Sequence, residues 1–249
     1  MLKKLLNKLF YQNPIKKIDE NNFIKRLPSS VIGQGMLHEG NIYLMDFAIR
    51  NMPYDGYVVE IGSYGGLSTN LILYLLEKHK KNNSMIGCDA WIYEGYDDYK
   101  SIKVNHIDGN NKIDRKEYMN YIKESFINAT TFFHPNSLPY ISHLKSDDFF
   151  RKWKNNEPLT DVFGRNFSIT QKISFAYIDG NHSYEQTKKD FENISNYLTI
   201  DGYVLIDDSA DNLSFGSSKF ISEIKKNKDF QIVDKNPNYL IKKISDQNQ

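Results

Sequence analysis

The strongest constraint on the fold is the regular alternation of short apolar runs with helical patterns. Five runs are apolar on both faces and end in polar or glycine residues, as expected of strands buried within a parallel sheet; they are YVVEIG, SMIGCDAW, YISHLKS, ISFAYIDG and GYVLIDDS. Helical spacing is clearest in the series Tyr184, Thr187, Phe191, Ile194 and Leu198. This order predicts a doubly wound α/β fold with helices on both faces of a mostly parallel sheet.

Local signals at helix starts and at the end of the chain refine this prediction. Ser183 and Gln186 have the spacing of a capping box, and Ser68 or Thr69 is expected to cap the helix that follows the first strand. Two final strand-like runs, DFQIVDK and NYLIKKI, predict a closing hairpin that adds an antiparallel strand at the edge of the sheet.

The length of the chain favours one domain with additions. Its 249 residues lie near the upper end for an undivided domain. The sequence pattern predicts a helical lead-in at residues 1–50 and the α/β domain at residues 51–249. Polar segments rich in Asn and Asp alternate with a helical stretch between residues 92 and 137, which predicts an inserted cap or flap.

Charge and cysteine content exclude several classes of protein. The formal net charge is +1, from 32 basic and 31 acidic side chains, so no overall field attracts nucleic acid. The single cysteine, Cys88, rules out an intrachain disulfide and a paired-cysteine metal site, and it favours a reducing, cytoplasmic location. No apolar run has the length of a transmembrane helix.

The N-terminal ten residues form a basic amphipathic pattern. Its apolar positions follow helical spacing and are Leu2, Leu5, Leu6 and Leu9. We interpret the pattern as a helix that docks on its own domain or on a second copy of the chain, and binding to an anionic membrane is the alternative.

Polar residues and glycines cluster where the predicted strands end. Because ligands bind at the carboxyl ends of parallel strands, the candidate site comprises residues 60–66, Asp89, Ser146, residues 179–182 and residues 207–208. Gly62, Gly65 and Gly66 lie between the first strand and its helix, where ligands can approach the backbone. Glycine turns also join strands to helices for purely steric reasons.

The spacing of this loop distinguishes between nucleotide ligands. A dinucleotide site uses G-x-G-x-x-G, whereas this loop places Glu60 two residues before Gly62. A carboxylate there opposes a pyrophosphate and suits a ligand that carries an ammonium and a sulfonium. Asp89, at the end of the second strand, is placed to accept from ribose hydroxyls. Trp91 either stacks on a purine or packs within the protein.

Three carboxylates at neighbouring strand ends suggest a cation site. Asp179, Asp207 and Asp208 would repel one another unless a cation lay among them, and oxygen ligands suit Mg²⁺. The alternative is that these residues only cap the helices that follow. His182 lies three residues after Asp179, which makes it a candidate general base.

Four segments carry a family resemblance. YVVEIGSYGGLSTNLIL, GCDAW, FAYIDGNHSYEQTKKDFE and GYVLIDDS resemble the motifs of class I S-adenosylmethionine-dependent methyltransferases. Within that class, the chain is similar to the group that contains the macrocin-type sugar O-methyltransferases. The resemblance covers roughly residues 36–91 and 139–209, and it implies a Rossmann-like sheet of seven strands with an antiparallel closing strand.

The resemblance also implies roles for individual residues. Glu60, Gly62 and Gly66 are expected to cradle the methionine moiety and Asp89 to hold the ribose; the full expected cofactor set is Glu60, Gly62, Ser63, Gly66, Ser68, Asp89, Trp91 and Ser146. The metal ligands of metal-dependent members correspond to Asp179, Asp207 and Asp208. The Asp-Gly-x-His run at residues 179–182 matches the run that supplies the general base, so Asp179 and His182 are the expected catalytic residues.

These implications lead to a specific expectation of function. The chain is expected to transfer methyl groups from S-adenosylmethionine to a hydroxyl of a sugar, a glycan or a glycosylated metabolite, with Mg²⁺ or another divalent cation lowering the hydroxyl pKa and His182 removing its proton. Another small-molecule acceptor, an NAD-dependent oxidoreductase and an inactive cofactor-binding module are the alternatives. Titration with S-adenosylmethionine and with NAD separates a methyltransferase from an oxidoreductase.

Overall fold

The computed structural model describes residues 15–17, 32–92 and 115–246. The amphipathic pattern predicted at residues 1–10 lies outside these residues, and so do residues 93–114 of the predicted flap. Within the described ranges, no helix combines the length and the apolar character needed to span a membrane.

A seven-stranded sheet forms the centre of the molecule. Its strands are β1 (Tyr57–Ile61), β2 (Met85–Asp89), β3 (Tyr140–His143), β6 (Ile173–Ile178), β7 (Leu198–Ile206), β8 (Phe230–Lys235) and β9 (Tyr239–Lys243). The order across the sheet is β3-β2-β1-β6-β7-β9-β8. The first five strands in this order pair in parallel, and β9 is antiparallel to both of its neighbours. The predicted fold class is therefore confirmed.

Six helices and a short hairpin accompany the sheet in the described part of the chain. The helices are α1 (Glu39–Asn51), α2 (Leu67–Lys78), α3 (Arg115–Phe133), α4 (Ser146–Lys154), α5 (Tyr184–Tyr197) and α6 (Gly216–Ile224). The hairpin consists of β4 (Leu159–Thr160) and β5 (Asn166–Phe167).

The predicted closing hairpin forms one edge of the sheet, and its two strands pair antiparallel. Within it, β9 lies between β7 and β8, so β8 forms the edge. Burial explains this order, because Leu240 and Ile241 of β9 are fully buried whereas the residues of β8 are half-buried or exposed. The more apolar strand of the hairpin therefore occupies the interior of the sheet.

Helices cover both faces of the sheet. On one face, Leu44 and Ile49 of α1 pack with Leu71 and Leu75 of α2 in one buried cluster. The opposite face is covered by aromatic and aliphatic residues of α4, α5 and α6, which include Phe149, Trp153, Phe191, Ile194 and Phe220. Helix α1 spans the predicted boundary at residue 50 and shares its core with the sheet.

The start of α2 corrects a sequence prediction. Ser68 or Thr69 was expected at the N-cap, but α2 begins at Leu67 and Gly66 occupies the N-cap with φ +92°. The hydroxyl of Thr69 instead donates to the carboxylate of Glu60. The predicted cap at α5 is confirmed, since the hydroxyl of Ser183 accepts from the backbone N–H of Gln186 at 3.3 Å.

Candidate active site

A cavity of about 670 Å³ opens at the carboxyl ends of the parallel strands. Its wall includes most of the predicted site residues, namely Gly62, Ser63, Ser68, Asp89, Ser146, Asp179, His182, Asp207 and Asp208. The described part of the cavity wall does not include Glu60, Gly66 or Trp91, which were also predicted to contact the cofactor.

Glu60 lies beneath the cavity rather than in its wall. Its side chain is fully buried, and Oε2 accepts hydrogen bonds from the hydroxyls of Ser63, at 2.7 Å, and Thr69. Burial raises the pKa of Glu60 to about 7, although the hydrogen bonds from Thr69 and Ser63 act in the opposite direction. Glu60 therefore orients Ser63, which reaches the cavity, and a contact of Glu60 with the cofactor stays a prediction.

Two glycines of the loop after β1 are required by close packing. Gly62 has φ +87°, and a Cβ there would lie 2.1 Å from the carbonyl oxygen of Asp179. This position lets the ends of β1 and β6 approach each other beside the cavity. Gly66 has φ +92°, and a Cβ there would lie 3.1 Å from Phe126 of α3, so helix packing favours glycine at this position, and its predicted contact with the cofactor stays a prediction.

Asp89 is held at the end of β2 by backbone donors. Its Oδ2 accepts from the N–H groups of Ser63 and Tyr64, both at 2.8 Å, and its Oδ1 accepts from the N–H of Trp91 at 2.5 Å. Burial raises the pKa of Asp89, and the backbone hydrogen bonds oppose that rise. A carboxylate has about four lone-pair positions, so Asp89 retains capacity to accept from a ligand hydroxyl.

Trp91 packs inside the protein. It is 6% exposed, and its indole N–H donates to the carbonyl oxygen of Tyr64 at 2.9 Å. Its ring contacts Phe126 and His143, with centroid distances of 5.5 and 5.4 Å. The packing alternative therefore describes Trp91 better than stacking on a purine, and Ala90 and Ile92 line the cavity in its place.

A polar network lies at the carboxyl end of β3. Nε2 of Gln186 donates to the hydroxyl of Ser146 at 3.0 Å, to Asp147 at 3.2 Å and to Asp190 at 3.1 Å. Burial raises the pKa of Asp190 to about 6. Sequence analysis assigned Gln186 to the capping box, whereas its side chain bridges α5 to Ser146 and lines the cavity.

Asp207 is anchored by two buried amides. Its Oδ1 accepts from Nδ2 of Asn41 at 2.6 Å and from Nδ2 of Asn238 at 2.5 Å. Nδ2 of Asn238 also donates to Asn41 at 3.0 Å. These donors come from α1 and from the turn before β9, so segments far apart in the sequence fix the orientation of one carboxylate.

Asp179 lies next to Asp207 at the end of β6. Burial raises the pKa of Asp179 well above its usual range, and the negative charges of Asp207 and Asp208 raise it further. The hydroxyl of Tyr177 donates to Asp179 at 3.1 Å. Within the part of the chain that the structure describes, no three Asp, Glu, His or Cys side chains are arranged to hold a metal ion.

His182 pairs with Asp208 at the edge of the cavity. Its Nδ1 lies 3.4 Å from Oδ2 of Asp208, and its ring centroid lies 5.3 Å from that of Phe215. Ser217 connects the two loops, because its N–H donates to the carbonyl oxygen of His182 at 3.3 Å and its hydroxyl donates to the carbonyl oxygen of Asp208 at 2.9 Å. The arrangement presents an imidazole, oriented by a carboxylate, to whatever occupies the cavity.

Several residues of the cavity wall were not found by sequence analysis. They are Gln34, Gly35, Met36, Leu37, Met119, Lys145, Gln186 and Phe215. Gln34 reaches the site because its N–H donates to the carbonyl oxygen of Gly65 at 3.0 Å, which places the segment before α1 against the loop after β1. The glycines at positions 33 and 35 were the available signal for this close approach.

Comparisons with known proteins agree with this geometry. The family model described as "Methyltransferase domain" matches residues 59–209, which is more than half of the chain. No curated protein sequence matches the chain significantly.

Similar folds occur among solved structures. The O-methyltransferase NovP is 15% identical with a TM-score of 0.53, over 83% of this chain and 80% of that chain. CalS11, a TDP-rhamnose 3'-O-methyltransferase in calicheamicin biosynthesis, is 18% identical with a TM-score of 0.53, over 98% of this chain and 93% of that chain. The O-methyltransferase TomG from Streptomyces achromogenes, solved with SAM, is 10% identical with a TM-score of 0.54, over 97% of this chain and 96% of that chain.

Proposed function

Because the chain belongs to the methyltransferase family and is an S-adenosylmethionine-dependent methyltransferase, we propose that it methylates a hydroxyl oxygen of a sugar or a glycosylated small molecule. The observation that carries this proposal is the position of His182, which lies beside Asp208 in the wall of the same cavity as Gly62 and Asp89. A candidate base and the candidate cofactor residues therefore share one site.

The cavity suits S-adenosylmethionine in size and chemistry. Its volume of about 670 Å³ lies within the usual range for cofactor sites. We assign the methionine end to Gly62 and Ser63, with Glu60 acting through Ser63, and the ribose to Asp89. The hydroxyls of Ser68 and Ser146 line the remaining wall. The bound cofactor supplies a methyl group on a positively charged sulfur, and the carboxylates around the cavity favour that charge.

His182 would act on the acceptor. With Nδ1 facing the carboxylate of Asp208, Nε2 is the nitrogen that takes the proton of the acceptor hydroxyl, so the O–H bond breaks as an N–H bond forms. The acceptor oxygen then bonds to the methyl carbon while the bond between that carbon and sulfur breaks. The carboxylate of Asp208 stabilises the imidazolium that results. The cavity walls supply orientation, which contributes strongly to any transfer between two bound reactants.

A divalent cation is a second element of the proposal. Asp179 and Asp207 are adjacent oxygen donors, and the repulsion that raises the pKa of Asp179 would be relieved by a cation such as Mg²⁺. Asp208, the third expected ligand, faces His182 in this structure. When bound, the ion would lower the pKa of the acceptor hydroxyl. His182 would remain the group that takes the proton.

The functions of the structural neighbours support the sugar acceptor. CalS11 is a TDP-rhamnose 3'-O-methyltransferase, and NovP and TomG are O-methyltransferases. The hydroxyl-rich face of a sugar also suits a site with three carboxylates, which accept hydrogen bonds from hydroxyl groups.

Transfer of a labelled methyl group from S-adenosylmethionine to a panel of glycosides tests the proposal. We expect methyl ethers as products, with turnover lost in His182→Gln while the cofactor affinity is retained. Cofactor binding without transfer to any hydroxyl would support the inactive module, and tighter binding of NAD than of S-adenosylmethionine would support the oxidoreductase. Either result would contradict the proposal.

A further inference from the structure

We propose that Phe215 selects the acceptor by offering its ring as a platform for an uncharged sugar ring beside His182. This inference rests on the proposed function and adds the residue that determines which acceptor molecules bind. It starts from the position of Phe215, which is half-buried, lines the cavity and lies with its ring centroid 5.3 Å from the imidazole of His182.

The place of Phe215 in the fold is unusual for its residue type. Phe215 occupies the N-cap of α6, where Ser, Thr, Asp and Asn are favoured because their oxygens accept from the first N–H groups of the helix. A phenylalanine ring has no such acceptor, so it gives up this stabilisation of the helix. The ring is instead directed at the cavity, which indicates a role there.

The backbone around Phe215 is fixed against the loop that carries His182. A Cβ on Gly216 would lie 1.9 Å from the backbone nitrogen of Tyr184, so the two segments are in direct backbone contact. The hydroxyl of Ser218 donates to the carbonyl oxygen of Phe215 at 3.0 Å, and Ser217 is bonded to both His182 and Asp208. The backbone segments that carry the ring and the imidazole are therefore held next to each other.

The charges at this end of the cavity favour an uncharged acceptor. Asp179, Asp207 and Asp208 line the wall near His182. Among the described wall residues, Lys145 is the one lysine or arginine, and it adjoins Ser146 after the end of β3. Three carboxylates carry more negative charge than one divalent cation neutralises, so an anionic group near the reacting hydroxyl would be repelled. A neutral sugar fits, because its hydroxyls can donate to carboxylates while the C–H face of its ring lies on the aromatic ring.

Binding of a matched pair of probes to the complex with S-adenosylhomocysteine tests this inference. The probes are p-nitrophenyl glucopyranoside and p-nitrophenyl glucuronide, which differ in one carboxylate, and saturation-transfer NMR reports their binding. We expect the glucopyranoside to bind and the glucuronide to bind about tenfold more weakly or not at all. Equal or tighter binding of the glucuronide, or no binding of either probe, would overturn the inference.

Variants of Phe215 separate the platform from a general effect of packing. Phe215→Ala and Phe215→Leu should each weaken glucopyranoside binding about tenfold, since Leu keeps the apolar volume but not the flat ring, whereas Phe215→Tyr should bind as the wild type does. Phe132→Ala is the control, because Phe132 is an aromatic residue of α3 that is 76% exposed. Unchanged affinity for S-adenosylhomocysteine verifies that each variant is folded. Binding by Phe215→Leu that equals the wild type would contradict the platform.

The same samples distinguish this inference from the proposed function. Mass spectrometry after addition of S-adenosylmethionine shows whether the bound glycoside gains a methyl group. Binding that depends on Phe215 without methylation would support the platform and contradict the O-methyl transfer. Methylation that does not change in the Phe215 variants would support the O-methyl transfer and contradict the platform.

Discussion

The side-chain amide of Asn41 donates to Oδ1 of Asp207 at 2.6 Å, across 166 residues of sequence. Both residues are buried, and the contact joins α1 to the carboxyl end of β7. Helix α1 therefore helps to build the site, although the sequence indicated a separate lead-in up to residue 50. The division of the chain at that position stays a prediction that functional data on truncated chains would test.

Replacement of Asn41 by Ala should lower both stability and turnover. Asp207 would keep one amide donor, from Asn238, and a buried carboxylate that loses a hydrogen bond costs about 1–3 kcal/mol. Urea unfolding and methyl transfer measure the two effects. Asn51→Ala is the matched control on the same helix, because its exposed amide bonds only to the carbonyl oxygen of Phe47 in the described structure and should change stability by less than about 0.5 kcal/mol. Equal effects of the two variants would argue against a role for Asn41.

Replacement of Asp89 by Ala should weaken the binding of S-adenosylmethionine by about 1.5–3 kcal/mol, the scale of hydrogen bonds to a charged group. The variant also leaves the N–H groups of Ser63 and Tyr64 without their acceptor at the cavity wall. Isothermal titration calorimetry gives the affinity. Asp148→Ala on α4 removes an exposed carboxylate paired with Arg151 and serves as the control. Unchanged affinity in the Asp89 variant would remove this residue from the cofactor site.

The sheet was predictable because its information is local. Each of the five parallel strands is marked by a short apolar run in the sequence, and Ser183 caps α5 within three residues of its partner Gln186. The contacts of Glu60 and Trp91 were not predictable, since they depend on Thr69 packing over one side chain and Phe126 over the other. Phe126 belongs to α3, whose approach to the loop after β1 is a tertiary contact without a local pattern.

Gly62 shows how a correct residue can be predicted for an incomplete reason. The sequence indicated a glycine that admits a ligand to the backbone, and Gly62 does line the cavity. The structure adds that a Cβ would collide with the carbonyl oxygen of Asp179 on the neighbouring strand. The requirement is set by the pairing of β1 with β6, which the sequence of the loop alone does not contain.

The buried carboxyl of Glu60 should make stability depend on pH. Its pKa is about 7 in the fold and near 4.5 when exposed, so the folded state holds the proton more tightly. This contribution to stability is fully present below about pH 4.5 and is lost as the pH rises through about 7, by roughly 3 kcal/mol at most. Glu60→Gln removes this titration.

Urea unfolding at about pH 5 and about pH 8 measures the effect. The stability of the wild type relative to Glu60→Gln should be lower at the higher pH than at the lower pH. Glu185→Gln, at an exposed position of α5, controls for the loss of a carboxylate elsewhere. A constant difference between wild type and Glu60→Gln would show that Glu60 does not titrate in this range.

Replacement of His182 by Gln should lower kcat by about a hundred-fold to ten-thousand-fold, the usual contribution of a positioned general base. The affinity for S-adenosylmethionine should change little, because the imidazole contacts the acceptor side of the cavity near Phe215. His79→Gln provides the control, since His79 pairs with Asp46 at the end of α2. Normal turnover of the His182 variant would exclude it as the base.

Magnesium should stabilise the protein if Asp179 and Asp207 bind it. A ligand that binds only the folded state stabilises it by RT ln(1 + [L]/Kd), so Mg²⁺ added to chelator-treated protein should raise Tm in the wild type. Asp207→Asn should abolish this response, because it removes one of the two adjacent carboxylates and keeps a side chain of the same shape. Asp211→Asn is the control, since Asp211 is a carboxylate on the same loop that pairs with Lys235.

Chelation should also abolish methyl transfer while the affinity for S-adenosylmethionine stays nearly intact, since the ion would contact the acceptor and not the cofactor. Full turnover of metal-free protein, together with no shift of Tm on addition of Mg²⁺, would defeat the cation and leave a transferase that relies on His182 and on orientation alone.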